Sequence, residues 1–349
     1  MKKIAVSSSC VFYEKDGIWF VNAKLPLLMH VNLRINKVDF IKVIPNEEQV
    51  RLFLFRGIFV NDNKIILIPC NAKHLITYLI DEDRFEYYSV EQTCSSMFRG
   101  YIKEGDFLVC IPDMYNKIIK FNYKTNQILY EAEWKAENEK TLEISGGYKD
   151  ESQYLFAIWG TSSILVYYFE RKSFEKKQLD EDIKVSQIIA MGDKYYVYDM
   201  NSRAIISYDK VSLKRCKKVV VGYKDAWMFR YEDKLVLSAV EVNCWNLYDE
   251  NLNEYFKEEN EEHNNFDLTN DFYCIEWAEG KNVLYGINSN GQLVSVSTQN
   301  NKPTYLDINI DQSNWDVLAQ KVMNEYEDKA LTEDALMKLD GYINYIMKR

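Results

Sequence analysis

Apolar runs alternate with polar turns along most of this chain. The clearest runs are Ile18-Trp19-Phe20-Val21, Ile65-Ile66-Leu67-Ile68, Phe107-Leu108-Val109-Cys110, Tyr154-Leu155-Phe156-Ala157, Tyr195-Tyr196-Val197-Tyr198, Leu235-Val236-Leu237 and Val283-Leu284-Tyr285. A turn built from Asp, Asn, Gly, Glu or Lys usually precedes them. Around each run the same order recurs: an apolar strand, the turn, the run itself, a second turn, a third strand ending in an aromatic, then a fourth. Strand alternation is visible in the third strand, where Ile119 and Phe121 point one way and Lys120 and Asn122 the other.

The first residues of the seven runs are spaced by 47, 42, 47, 41, 40 and 48. A unit of about 44 residues with four strands matches the period of propeller blades. Two units align without a gap at an offset of 43, pairing Phe55-Arg56-Gly57 with Phe98-Arg99-Gly100 and Pro69 with Pro112. The third strand repeats as Ile118-Ile119-Lys120-Phe121-Asn122, Ile205-Ile206-Ser207-Tyr208-Asp209 and Trp245-Asn246-Leu247-Tyr248-Asp249. Its closing Asn or Asp suits a tight corner, because the short side chain can bond the turn backbone. This four-strand unit with its corner resembles the kelch-like and WD40-like β-propeller superfamily over about residues 10–308. The glycine pair of kelch blades occurs only as Gly146-Gly147, and Trp-Asp only as Trp315-Asp316, outside the blades. The predicted fold is therefore all-β, a seven-bladed β-propeller of four-stranded antiparallel blades over residues 1–310. Ile4-Ala5-Val6 is expected to close it as an extra strand in blade seven.

From Ser313 the period becomes helical. Leu318, Val322 and Tyr326 recur at four-residue steps, and Ser313 with Asp316 resembles a capping box. A second helix is expected from Thr332, with Leu336, Leu339, Ile343 and Ile346 on one stripe. Residues 311–349 thus read as a short α-helical hairpin, packed on the propeller or projecting from it to meet a partner.

Composition narrows the function. The 26 Tyr and 17 Phe favour strands, and the 47% apolar content is ample for a core. With 43 basic and 53 acidic residues the net charge is −10. No basic stripe is present to displace counterions, so nucleic acid is not an expected partner. The acidic run from Lys257 to Glu262 reads as a solvated loop. No apolar stretch is long enough to span a membrane. The seven cysteines are scattered and include no C-x-x-C pair, which fits free thiols in a reducing compartment. Lys2-Lys3 followed by Ile4-Ala5-Val6 is too short an apolar core for a secretory signal, so the expected location is cytoplasmic.

Catalytic templates find no match. The three histidines lie far apart, and no phosphate-binding glycine loop or metal-ligand spacing is present, so no cofactor or metal is expected. The main candidates come from the propeller itself, whose first strands line a central channel. Counting back from each run gives a ring of Ser8, Phe55-Arg56, Phe98-Arg99, Ile144-Ser145, Val185-Ser186, Ala226-Trp227 and Tyr273-Cys274. Arg56 and Arg99 either bind an anion or pair with acids such as Glu143 or Glu276, because like charges repel and burial adds a desolvation cost. Trp227 would add an aromatic wall suited to a sugar, and Ser145 a hydroxyl. Trp159 and Tyr115, in loops between second and third strands, are candidate surface aromatics for carbohydrate or peptide recognition. Two readings follow. One is a non-catalytic platform binding a protein or peptide partner through one face; the other is binding or processing of a small anion or carbohydrate in the channel.

Overall fold

The computed structural model describes residues 2–4, 8–22, 26–47, 53–91, 94, 96–134, 142–223, 226–239, 244–258, 277–280, 283–287, 293–297 and 303–312. After a short β1 (Lys2–Ile4), blade one is β2 (Ser8–Glu14), β3 (Gly17–Asn22), β4 (Leu27–Asn32) and β5 (Lys37–Val43). Blade two is β6 (Phe55–Asn61), β7 (Lys64–Pro69), β8 (His74–Leu79) and β9 (Arg84–Ser89). Blade three is β10 (Phe98–Glu104), β11 (Phe107–Pro112), β12 (Lys117–Asn122) and β13 (Gln127–Glu133). Blade four is β14 (Ile144–Asp150), β15 (Gln153–Ile158), β16 (Ser163–Tyr168) and β17 (Ser173–Gln178). Blade five is β18 (Val185–Met191), β19 (Lys194–Asp199), β20 (Ala204–Asp209) and β21 (Arg215–Val220). Blade six is β22 (Ala226–Tyr231), β23 (Lys234–Ala239), β24 (Cys244–Tyr248) and β25 (Glu254–Glu258). Blade seven is β26 (Trp277–Gly280), β27 (Val283–Ile287), β28 (Leu293–Ser297) and β29 (Pro303–Leu306), followed by β30 (Ile308–Ile310).

Each blade is an antiparallel meander in chain order, so the fold is a seven-bladed β-propeller, and all seven apolar runs fall on second strands. The turns before them are two-residue hairpin loops such as Lys15-Asp16, Gly105-Asp106, Glu151-Ser152, Gly192-Asp193 and Glu232-Asp233. Asp16, Gly105, Glu151, Gly192 and Glu232 all have positive φ, the conformation that matches hairpin twist. The corner after the third strand is held as its sequence suggests. Asn122 Oδ1 accepts from the Lys124 and Thr125 amides, and Asp209 Oδ1 from those of Val211 and Ser212.

Burial is graded across a blade. The β15 and β19 strands are almost wholly buried, as blade-to-blade packing on both faces requires, whereas β17 and β21 are mostly exposed. The described residues fall into two compact units, one holding blades one and seven and most of blade two, the other blades three to six with residues 68–70 and the end of β9 from Tyr88. In the first unit β2 lies against β6 and β26, with Tyr13 stacked on Tyr285 at 4.9 Å. In the second, β14 lies between β10 and β18, and β18 also meets β22. Apolar layers fill the spaces between blades. Val109, Ile118, Trp134, Ile144, Phe156 and Leu165 form one of them, and Leu155, Val166, Ile188 and Val197 belong to the next.

Closure differs from the expectation. The strand β1 does not join blade seven. It pairs antiparallel with β30, and β30 runs parallel to β5, so the two strands extend the outer edge of blade one to a six-stranded sheet. Blade seven supplies its own four strands, which leaves no vacancy for Ile4 to fill. The predicted tail helices and the candidates Tyr273, Cys274 and Glu276 lie outside the described residues.

Candidate functional site

The inner strands share a local feature that positions the candidate ring. In β2, β10, β14 and β18 the pairing register slips by one residue near the strand start, between Ser8 and Cys10, Phe98 and Gly100, Ile144 and Gly146, and Val185 and Gln187. The residues on these bulges are Ser9, Arg99, Ser145 and Ser186. A bulge redirects its side chain away from the regular alternation of the strand. Three of the four repeat one bond. The hydroxyls of Ser9, Ser145 and Ser186 donate to the carbonyls of Val21, Ala157 and Tyr198, each twelve residues on in the second strand, at 3.3, 3.4 and 3.4 Å.

Arg99 uses the same slot differently. Its Nε lies 3.1 Å from Asp113 Oδ1, and its terminal nitrogen donates to Glu143 Oε1 at 3.3 Å. The Asp113 side chain is 8% exposed, so the pair sits largely out of water. Ser96 Oγ donates to the other Asp113 oxygen at 2.5 Å, and Cys70 Sγ lies 3.2 Å from that hydroxyl. Backbone bonds pin the surroundings: Asp113 N to Met97 O, Met97 N to Cys70 O, and Ile144 N to Asp113 O. Arg99 therefore ties blade three to the start of blade four. Of the two fates open to it in the sequence, pairing with Glu143 is realised, and Asp113 is a second partner that the sequence reading missed.

The other candidates divide. Arg56 is half-buried, with its guanidinium 4.2 Å above the Phe53 ring. Ser145 is buried on its bulge. Trp159 is 38% exposed on a held loop, its amide bonded to Glu143 O and that of Gly160 to Val185 O. Three readings need correction. In blade one the bulge residue is Ser9 rather than Ser8, which pairs regularly with Asn22. Trp227 is not in the ring position either. The β22–β23 pair has no bulge, so Trp227 opposite Ser238 corresponds to Gln187 opposite Tyr198, and a one-residue slip sends it to the other side. Tyr115 is no surface aromatic. It is fully buried, edge-on to Phe98 at 5.3 Å, because its loop folds inward, and burial pushes its hydroxyl pKa up. Among the described residues no group of His, Cys, Asp and Glu could hold a metal ion.

No protein-family model matches the chain, and no curated protein matches it. Solved structures do. Virginiamycin B lyase from Staphylococcus aureus, in a catalytically inactive form with quinupristin, is 10% identical with a TM-score of 0.61, covering 84% of this chain and 97% of that one. YCF48 bound to D1 peptide is 8% identical with a TM-score of 0.61, covering 84% and 93%. BamB from Moraxella catarrhalis is 7% identical with a TM-score of 0.54, covering 84% and 85%. At these identities the likeness is one of fold, and the fold is the β-propeller.

Proposed function

We propose that this protein is a non-catalytic interaction platform that binds a protein or peptide partner through the loops between second and third strands. The observation that carries the reading is Trp159, an exposed indole on a loop whose backbone is bonded on both sides. A rigid aromatic anchor loses little entropy on binding, which is why tryptophan is enriched among the residues that dominate interface energy. The channel candidates favour this reading too, because Arg99 is already ion-paired with Asp113 and Glu143, and the Ser145 hydroxyl donates to Ala157 O. The likeness to YCF48, solved with a peptide, supports a partner of that kind. Thiols outside any disulfide, such as those of Cys110 and Cys216, support a reducing compartment such as the cytoplasm. The test is a photo-crosslinking residue placed at Trp159 and, as control, at exposed Lys176 on β17. A discrete adduct is expected from position 159 alone; equal labelling from both positions, or none, counts against the platform.

A second reading is binding or processing of an anionic small molecule or carbohydrate in the channel, for which Arg56 and Arg99 are each candidate contacts. The half-buried guanidinium of Arg56 over Phe53 and the likeness to a lyase solved with quinupristin favour it. Sugar phosphates should then raise the melting temperature of the native protein and not of an Arg56→Ala, Arg99→Ala double variant.

A further inference from the structure

The outermost strand of blade three differs from the other outer strands. An edge strand offers unpaired backbone groups to any extended chain, and proteins guard such edges with lysine, other charges or proline. The strand β17 carries Lys176 and Lys177, β21 carries Arg215, Lys217 and Lys218, β25 carries Lys257, β9 begins with Arg84, and β29 begins with Pro303. The edge of β5 is covered by β30 and β1. The sequence of β13, Gln127-Ile128-Leu129-Tyr130-Glu131-Ala132-Glu133, has no Lys, Arg or Pro; its charges are acids only, and its one register slip falls at Glu131, past Leu129 and Tyr130. Leu129 is 45% and Tyr130 57% exposed, a pair of adjacent large apolar side chains pointing to opposite faces of the strand.

Blade one shows what such an edge accepts and how charge seals it. There β30 lies parallel to β5, the Asn309 amide donates to Asn36 O at 3.1 Å, and Asp311 pairs with Lys37 of the edge strand. The charges on β13 are of opposite sign. Lys117, which faces Glu133 across the pair, holds Glu91 at 2.6 Å, while Glu133 accepts from the neutral amide of Asn116 at 3.0 Å. Glu131 sits at the register slip of β13, 3.5 Å from Lys120 and accepting from the Tyr167 hydroxyl at 3.3 Å, so Glu133 is the exposed acid of this edge. A second copy of this chain would bring the same carboxylates and another net charge of −10 against this edge. A basic strand would not.

We propose that β13 is a docking edge for an extended peptide segment of a partner. The segment would add as a fifth strand, with apolar side chains over Leu129 and Tyr130 and Lys or Arg beside Glu133. This surface is separate from the Trp159 loop, so either can fail without the other. The experiment is fluorescence anisotropy of the full chain with two labelled synthetic peptides, Lys-Val-Lys-Ile-Lys-Val and Glu-Val-Glu-Ile-Glu-Val. The lysine peptide should bind and the glutamate peptide should not. Tyr130→Lys should weaken binding at least tenfold and Glu133→Lys several-fold, while Val220→Lys on β21 and Trp159→Ala leave it unchanged. The first three positions and Trp159 are exposed, and equal melting temperatures confirm that each variant folds. The proposal is overturned if the lysine peptide does not bind, or if binding falls with salt yet ignores Tyr130→Lys. It is equally overturned if light scattering shows a dimer that Tyr130→Lys dissolves, which would assign the edge to a second copy.

Discussion

The inner strands β10 and β14 lie side by side, start with the same bulge and use it in opposite ways. On β14 the bulge carries Ser145, whose hydroxyl turns back to Ala157 O on the next strand of its own blade. On β10 it carries Arg99, which reaches Asp113 and then Glu143 ahead of β14. The backbone fixes the slot, and the length and charge of the side chain decide whether the slot closes one blade or joins two. The remaining contrast lies at the far ends of the strands. There β10 finishes in Glu104, which accepts from Lys149 of β14 at 2.6 Å and from Tyr154 at 2.6 Å. Strand β10 is thus tied to blade four by charge at both ends.

The largest effect expected from this comparison comes from Arg99→Ala. It leaves Asp113 buried with one hydroxyl donor, and breaking a largely buried ion pair costs roughly 3 kcal/mol. Urea denaturation measures the loss. Asp113→Asn in the Arg99→Ala background should recover most of it, because it removes the stranded charge. A loss below about 0.5 kcal/mol, the level of an ordinary surface substitution, would mean that Arg99 is no tie between blades.

At the other end of β10 the tie is titratable. Burial alone would raise the Glu104 pKa, but hydrogen bonds from Lys149 and Tyr154 and the charges of Lys120 and Lys149 outweigh it and hold the carboxyl at about 2, against an ordinary 4.5. A carboxyl depressed on folding stabilises fully above its unfolded pKa and loses that contribution as pH falls through the folded one. Lys149→Met should therefore cost about 1–2 kcal/mol at neutral pH, the worth of a charged hydrogen bond in a partly exposed site. The gap between wild type and variant should narrow from pH 4.5 down to 2, and a gap that stays constant across that range would remove Glu104 from the account.

How much of this was legible in sequence follows from the range of each interaction. Second strands were visible because a hairpin turn and an apolar run are adjacent in the chain, as in Glu151-Ser152 before Tyr154-Leu155-Phe156-Ala157. The Asn122 and Asp209 corners were visible for the same reason. The bulge was not, because a one-residue slip shows only against the partner strand. That is why Ser8 stood in for Ser9 and Trp227 was set level with Arg99. Asp113 lay in plain sight beside Tyr115, but the loop that buries one and aims the other at Arg99 is set by the Met97 and Ile144 backbone bonds. A three-residue strand such as β1 has no periodicity to read, so its place on blade one rather than blade seven came only with the fold. One trace of the bulge is present in retrospect: a serine twelve residues before a buried second-strand residue, three times over.

That repeated serine provides the smallest and most discriminating prediction. Ser145→Ala and Ser186→Ala each remove one hydroxyl bond of 3.4 Å from a buried site. A neutral hydrogen bond is worth roughly 0.5–1.5 kcal/mol net, and long ones fall at the low end, so each variant should lose about 0.5 kcal/mol. The alanine methyl fits where the serine Cβ already sits, and the bulged backbone stays as it was. Thermal melts of both variants beside Arg99→Ala would rank the three. If Ser145→Ala costs as much as Arg99→Ala, then the reach of the side chain is not what separates β14 from β10, and the contrast between a closed slot and a joined one is lost.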